Sequence, residues 1–105
     1  MVKIVWTEPA LSDLNDIAEY IAIDKFSAAQ KLVKDVFSRV ELLKQSPSSG
    51  RKPPELSRSR YREVIVGPCR VFYRYTENKV FILYVMRSER VLAKYILNER
   101  ESSNK

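Results

Sequence analysis

The sequence predicts an α+β fold: an N-terminal β-strand and an α-helical hairpin, followed by antiparallel β-sheet strands and a short C-terminal helix. In the first half of the chain, apolar residues recur at spacings of three and four, which is typical of amphipathic helices. In residues 60–90, β-branched and aromatic residues dominate, which is typical of strands. The chain has 105 residues, enough for one core. We therefore expect a single domain over residues 1–100 and a disordered tail over residues 101–105.

The N-terminal half predicts one strand and two helices. Residues 2–6 are β-prone, and Thr7 follows as a candidate N-cap, with Pro9 in the first helical turn, where its missing N–H costs nothing. The apolar stripe of the first helix consists of Leu11, Leu14, Ile17, Ala18, Ile21 and Ala22. After a break at residues 24–27, a second stripe runs to about Lys44 and consists of Ala28, Leu32, Val36, Phe37, Val40 and Leu43. So short a link predicts an antiparallel hairpin that packs on one face of the sheet.

The C-terminal half predicts three strands and a terminal helix. Gly67-Pro68 and residues 76–79 are short breaks, so consecutive strands should be antiparallel neighbours joined by hairpins. Ser88 is a candidate N-cap for the last helix, because residues 91, 92, 95 and 96 recur at helical spacing. Residues 51–59 contain two prolines and read as an exposed basic loop. Cys69 is the only cysteine, so a disulfide within the chain is excluded and we expect a buried structural thiol.

The composition limits the possible functions. The net charge is +6, and it is uneven: residues 1–45 hold six Lys and Arg against seven Asp and Glu, whereas residues 46–105 hold thirteen against six. A basic half attracts phosphate backbones or acidic peptides, and we expect it to gather on the sheet face opposite the hairpin. The chain contains no histidine, which removes the commonest general base and zinc ligand. Because the sequence shows neither a membrane-spanning run nor a secretory signal, we expect the cytoplasm.

Several separated motifs carry a resemblance to a known family. They are, in order, WTEPALSDLNDIAEYIA, SPSSGRKPPEL, YREVIV, CRVFYRY, and ILYV followed by an arginine-rich turn. Together they span about residues 4–95, and the chain resembles the ParE/RelE superfamily of type II toxin–antitoxin toxins, closer to the ParE branch. The departures are Cys69 in place of an aromatic residue before Arg70, and Met86-Arg87 in place of a histidine followed by an arginine.

The resemblance implies a growth-inhibiting toxin that a cognate antitoxin neutralises. ParE-like toxins poison DNA gyrase without catalysing a reaction, and this is the expected function. The alternative is a RelE-like endoribonuclease that cuts messenger RNA on the ribosome, and a further alternative is an inactive relative that only binds antitoxin. We expect no cofactor and, with no histidine and one cysteine, no metal. The resemblance implies contact with operator DNA only through the antitoxin. The antitoxin is expected to present an acidic, partly disordered C-terminal segment.

The candidate site residues follow from the resemblance and from the basic second half. The target-binding set comprises Arg62, Arg70, Arg74, Arg87 and Arg90. Under the endoribonuclease alternative, Arg70, Arg87, Arg90 and Tyr95 would be catalytic, with arginines stabilising phosphate charge. Arg70 could instead pair with Glu63 or Glu77, Arg62 and Glu63 could form a cross-strand ion pair, and the spacing favours a core position for Tyr84 and Tyr95. The antitoxin-binding set comprises Arg51, Lys52, Arg58 and Arg60.

Overall fold

Residues 2–103, which the computed structural model describes, form four β-strands and three α-helices. They follow in the order β1 (Lys3–Trp6), α1 (Glu8–Asp24), α2 (Phe26–Glu41), β2 (Arg62–Val66), β3 (Cys69–Thr76), β4 (Lys79–Arg87) and α3 (Ile96–Ser103). Single 3₁₀ turns occur at Leu42–Lys44 and Pro54–Leu56. The predicted element order and fold class are confirmed. None of these helices is long and apolar enough to cross a bilayer.

The four strands make one mixed sheet in the order β1-β4-β3-β2. β2, β3 and β4 are consecutive antiparallel neighbours, as predicted, whereas β1 pairs with β4 in parallel. Gly67 adopts a φ of 52° in the first hairpin, and Glu77 and Asn78 adopt φ of 52° and 60° in the second. Two consecutive positive φ angles match the tight turn that suits the twist of a hairpin.

Thr7 joins the start of α1 to the middle of the sheet. Its Oγ1 accepts a hydrogen bond from the Ala10 amide at 3.4 Å, which confirms the predicted N-cap. The same hydroxyl donates to the Ile82 carbonyl of β4 at 2.7 Å. One buried side chain therefore fixes where the first helix leaves β1 and how it lies against β4.

The helical hairpin packs on one face of the sheet, as predicted. The main core beneath it is formed by Ala10, Leu14, Leu32, Val36, Val40, Leu43, Val64, Val66, Cys69, Val71, Tyr73, Val80, Ile82 and Val85. Cys69 is fully buried there, which confirms its predicted environment, and burial raises the pKa of its thiol. A buried thiol with a raised pKa is unreactive.

The opposite face of the sheet carries a second apolar core. Its buried members are Tyr61, Phe72, Leu83, Met86, Leu92 and Leu97. A bulge in β4 contributes to it: Phe72 pairs with Tyr84 and Tyr73 with Ile82, so Leu83 is the extra residue. The sheet is covered on both faces, and the chain after β4 supplies much of the second cover.

The C-terminal helix begins at Ile96, seven residues later than a cap at Ser88 predicts. Ser88 caps no helix, because residues 89–95 after it are not α-helical. Its amide donates to the Pro68 carbonyl at 2.8 Å, which extends the β3–β4 pairing past Cys69 and Arg87. Val91 is 87% exposed and Tyr95 is 65% exposed, so the predicted core position of Tyr95 is wrong. The predicted disordered tail is also wrong for residues 101–103, which belong to α3 because Glu101 is anchored among buried partners. Residues 104–105 lie outside the described residues.

Candidate functional site

The predicted target-binding arginines do not gather on one face of the sheet. Arg70, Phe72 and Arg74 occupy every second position of β3, so the two arginines lie on the same face as Phe72, the face of the second core. Arg87 lies on the helix side, where its guanidinium stands 4.8 Å from the centre of the Tyr20 ring of α1. The predicted collection of basic side chains opposite the hairpin is wrong for Arg87, since it follows Met86 and alternation turns it to the other face.

Arg62 also lies on the helix side. It is opposite Tyr73, a residue of the main core, in the β2–β3 register. Its guanidinium donates to the Gly50 carbonyl at 2.9 Å, and it forms no ion pair with Glu63. The predicted Arg62–Glu63 pair is therefore wrong, and Arg62 instead holds the loop that leads into β2.

Arg70 is sealed inside a group of two arginines and two glutamates, which we call the Arg70 cluster (Arg51, Glu55, Glu63 and Arg70). Its Nε donates to Glu63 at 2.6 Å, and its two terminal nitrogens donate to both oxygens of Glu55 at 2.8 Å each. The second oxygen of Glu63 accepts from Arg51 Nε at 2.7 Å. The side chain of Arg70 is only 8% exposed and that of Glu63 is fully buried. The predicted pairing of Arg70 with Glu63 is confirmed, and Glu77 takes no part.

These contacts shift the ionisation of the cluster. The hydrogen bonds from Arg70 hold the pKa of Glu55 at about 2, well below its ordinary value near 4.5. The Glu55 carboxylate in turn raises the pKa of Arg70. Both groups remain charged at neutral pH, and Arg70 has little capacity to bind an external anion while Glu55 is in place.

The Glu55 ion pair predicts a specific loss of stability in acid. Since the folded-state pKa of Glu55 is depressed, its stabilisation is fully present above about pH 4.5 and is lost as the pH falls towards 2. We expect the free energy of unfolding to decrease as the pH is lowered through this window, and to decrease less in Glu55→Gln than in the wild type. Urea unfolding at pH 5.5, 4 and 3 measures it; equal slopes for the two proteins would contradict the assignment.

Arg74 and Arg60 converge on Glu101 of α3. Glu101 Oε1 accepts from Arg60 Nη2 at 2.6 Å and from the Tyr61 hydroxyl at 2.9 Å, and Arg74 binds Oε2. Although burial opposes its charge, these hydrogen bonds keep the pKa of Glu101 below its ordinary value. Arg74 therefore serves to dock the last helix, a role that the sequence did not reveal.

The open half of β4 borders a crevice between the edge of this strand and α1. β1 ends opposite Ile82, so residues 83–87 of β4 have no strand on that side. An ion pair takes its place: Asp13 accepts from the Val85 amide at 3.1 Å, Arg100 donates to the Leu83 carbonyl at 2.9 Å, and the two side chains bind each other at 3.0 and 3.1 Å. One carboxylate and one guanidinium thus take the place of a neighbouring strand in pairing the Val85 amide and the Leu83 carbonyl at the edge of the sheet.

Two predicted residues, Arg87 and Arg90, lie together in this β4 crevice. The other lining residues are Asp13, Asp16, Ile17, Tyr20, Tyr84, Val85 and Met86. Arg90 is exposed, and Arg87 pairs with the exposed Glu89 at 2.7 Å besides its contact with the Tyr20 ring. Such pairs contribute little and exchange readily. Arg87 and Arg90 are therefore the members of the predicted set that an external anion reaches most easily.

The residues of the endoribonuclease alternative do not converge. Arg70 is buried on the opposite face from Arg87, and the exposed Tyr95 does not line the β4 crevice. Burial raises the pKa of Tyr84, one of the two tyrosines that line the crevice, which weakens it as a base at neutral pH. Within residues 2–103, no three acidic, cysteine or histidine side chains are grouped to hold a metal ion.

The predicted antitoxin-binding residues lie along the loop before β2. Arg51 and Arg60 are more than half exposed although each pairs with a glutamate. The Lys52 ammonium donates to the Ser59 carbonyl at 2.6 Å, and Arg58 is exposed. They remain available at the surface, because an exposed ion pair gives up its partner at small cost.

Comparison with known proteins gives a consistent result. The sequence model of the ParE toxin of the type II toxin–antitoxin system parDE matches residues 4–92. Among solved structures, the chain is similar to one described as the chromosomal ParDE toxin–antitoxin system from P. aeruginosa, with 27% sequence identity and a TM-score of 0.70. The similarity covers 85% of this chain and 98% of that chain. Comparison with curated protein sequences gives no significant match.

Proposed function

Because the chain belongs to the ParE toxin family of type II toxin–antitoxin systems, we propose that it inhibits growth by poisoning DNA gyrase and that a cognate antitoxin neutralises it. The family match, which extends over residues 4–92, is the observation that carries the proposal. The proposal assigns the protein a binding role in the cytoplasm: it holds its target in an unproductive state and catalyses no reaction itself.

The site geometry favours this function over messenger RNA cleavage. In-line cleavage needs a base near the ribose 2′-hydroxyl and cations near the phosphate. The chain has no histidine, and arginine is a poor base because it stays protonated. Arg70, the arginine that the sequence resemblance favours for binding the phosphate, already pairs with Glu55 and Glu63.

We assign the contact with the target to the β4 crevice. Arg87 and Arg90 supply accessible positive charge at its rim, and Tyr20 and Ile17 supply apolar surface. A rim of this kind suits an acidic or phosphate-bearing partner, with the aromatic ring as an anchor. The test is a supercoiling assay with purified gyrase: the protein should inhibit the reaction and increase the amount of cleaved DNA held by the enzyme. Unchanged supercoiling at micromolar toxin would contradict the proposal.

Removing both rim arginines is expected to weaken gyrase inhibition at least tenfold. The double variant Arg87→Ala/Arg90→Ala loses two charges from the crevice but only a surface pair and a cation–π contact from the fold. Its thermal unfolding should therefore stay close to that of the wild type. The measurement is the concentration that halves supercoiling activity.

Lys31→Ala is the matched control for the rim variant. Lys31 also forms an exposed ion pair, with Asp35 at 2.6 Å, but it lies on α2 outside the β4 crevice. It should inhibit gyrase like the wild type. If the rim variant and the control inhibit equally, the contact surface lies elsewhere.

The antitoxin is proposed to bind with an acidic, partly disordered segment that folds on contact. Exposed apolar side chains such as Ile23 and Phe26 at the hairpin tip offer surface to cover, and the loop of Arg51, Lys52 and Arg58 offers charge. Folding on binding lets a short segment cover a wide surface. Expression of the toxin alone should stop growth, and co-expression with the product of the neighbouring gene should restore it. Normal growth without the neighbour would favour an inactive relative.

A further inference from the structure

The Arg70 cluster holds one guanidinium between a buried carboxylate and a carboxylate on a surface turn. Glu63 belongs to β2, is fully buried and also binds Arg51, so it cannot leave without breaking the sheet. Glu55 instead lies on the single turn Pro54–Leu56, and its side chain is 24% exposed. Of the two carboxylates that hold Arg70, only Glu55 is reachable from solvent and carried by a short surface turn.

The turn of Glu55 has few other ties to the sheet. Its backbone bonds are local, from Leu56 N to the Pro53 carbonyl at 2.9 Å and from Ser59 N to the Leu56 carbonyl at 2.9 Å. Within residues 2–103, the side-chain hydrogen bonds that join Pro54–Leu56 to a strand are the two between Glu55 and Arg70. Loss of that contact would leave the turn held by the packing of Leu56 against the second core and by the backbone hydrogen bond that Leu92 gives to the Glu55 carboxylate.

Charge within the cluster balances only while Glu55 is present. Arg51 and Arg70 carry two positive charges against two negative charges on Glu55 and Glu63. If Glu55 moves away, the two terminal nitrogens of the nearly buried Arg70 guanidinium lose their acceptors and face the space that the carboxylate occupied. A buried cation in that condition strongly favours a replacement anion.

We propose that Arg70 is a latent oxyanion-binding site and that Glu55 is its internal occupant, which a phosphate group replaces when the turn Pro54–Leu56 moves away. The carboxylate of Glu55 receives two parallel N–H bonds from Arg70, the same paired contact that arginine makes with two phosphate oxygens. The proposal concerns a second site, which shares no residue with the β4 crevice, and does not depend on gyrase being the target.

The test compares phosphate binding by wild type, Glu55→Ala and a matched control. Glu41→Ala is the control, because Glu41 also forms an ion pair, with Lys44 at 2.7 Å, but at the surface of the helical hairpin. Titration with inorganic phosphate at constant ionic strength should show at least tenfold tighter binding by Glu55→Ala than by the wild type or Glu41→Ala. Adding Arg70→Lys to Glu55→Ala should abolish that gain, because lysine lacks the paired nitrogens.

A second variant and a second probe complete the test. If Glu55→Ala does not fold, Glu55→Gln, which keeps the shape and removes the charge, takes its place in the same titration. A fluorescent single-stranded oligonucleotide distinguishes a nucleic-acid phosphate from the free ion: tighter binding of either probe that requires Arg70 supports the site, and the probe that binds identifies the source. Equal binding by the Glu55 variant and Glu41→Ala for both probes overturns the proposal.

Discussion

Replacing Glu63 with alanine is expected to lower the free energy of unfolding by about 3–5 kcal/mol, the usual cost of breaking a buried ion pair. Glu63 is fully buried and binds both Arg70 and Arg51. Without it, Arg70 keeps only the surface turn of Glu55 as a partner, and its Nε is left unpaired inside the protein. The penalty comes mainly from that uncompensated donor and charge.

Chemical denaturation of Glu63→Ala and Asp35→Ala measures the effect and its control. Asp35 pairs with Lys31 on the exposed side of α2, so its loss should change the unfolding free energy by less than about 1 kcal/mol. A loss below about 1 kcal/mol for Glu63→Ala as well would show that the Arg70 cluster is not a structural centre of the fold.

Replacing Leu97 with alanine is expected to destabilise the protein by about 2–5 kcal/mol, the range for truncating a buried leucine. Leu97 is fully buried in the second core, where α3 covers the sheet opposite the helical hairpin. Truncation leaves a cavity and loosens the helix that also carries Glu101 and Arg100. Thermal unfolding with a folded-state spectroscopic signal is the measurement.

Val91→Ala is the control for the second core. Val91 is 87% exposed although its spacing suggests a buried helical position. Its truncation should leave the melting temperature nearly unchanged. If the two variants lost equal stability, the segment after β4 would not pack as the structure has it.

The fold was predictable where signals are local. Thr7 caps α1, and the two hairpins fall at Gly67 and at Glu77-Asn78, because each feature depends on residues within one turn. The start of the last helix was not predictable by the same means. Ser88 has the residue type of a cap, but its amide pairs with the Pro68 carbonyl at the end of the β3–β4 ladder, and the chain becomes helical only at Ile96.

The candidate site was predictable in residue type but not in pairing. Arg70 and Arg74 are recognisable as strand arginines, yet Glu55 and Glu101, the carboxylates that occupy them, lie 15 and 27 residues away along the chain. Asp13 and Arg100 are separated by 87 residues. Such partners depend on how the loops and α3 fold back on the sheet, which periodicity does not encode.

The pairing changes which arginines matter for function. Those with buried partners stabilise the fold, whereas Arg87 and Arg90 remain at the rim of the β4 crevice. A protein of this charge can therefore bind a polyanionic target through few residues. Its predicted binding should weaken with added salt, since exposed charges are screened.

The most direct measurement is a paired assay of the purified protein on its two possible targets. In one reaction, gyrase, plasmid DNA and ATP receive the protein, and cleaved DNA is trapped with detergent; in the other, translating ribosomes receive it, and the 5′ ends of messenger RNA are mapped. We predict cleaved DNA that depends on gyrase, and no new messenger RNA ends. New ends at ribosomal A sites with gyrase unaffected would contradict the account.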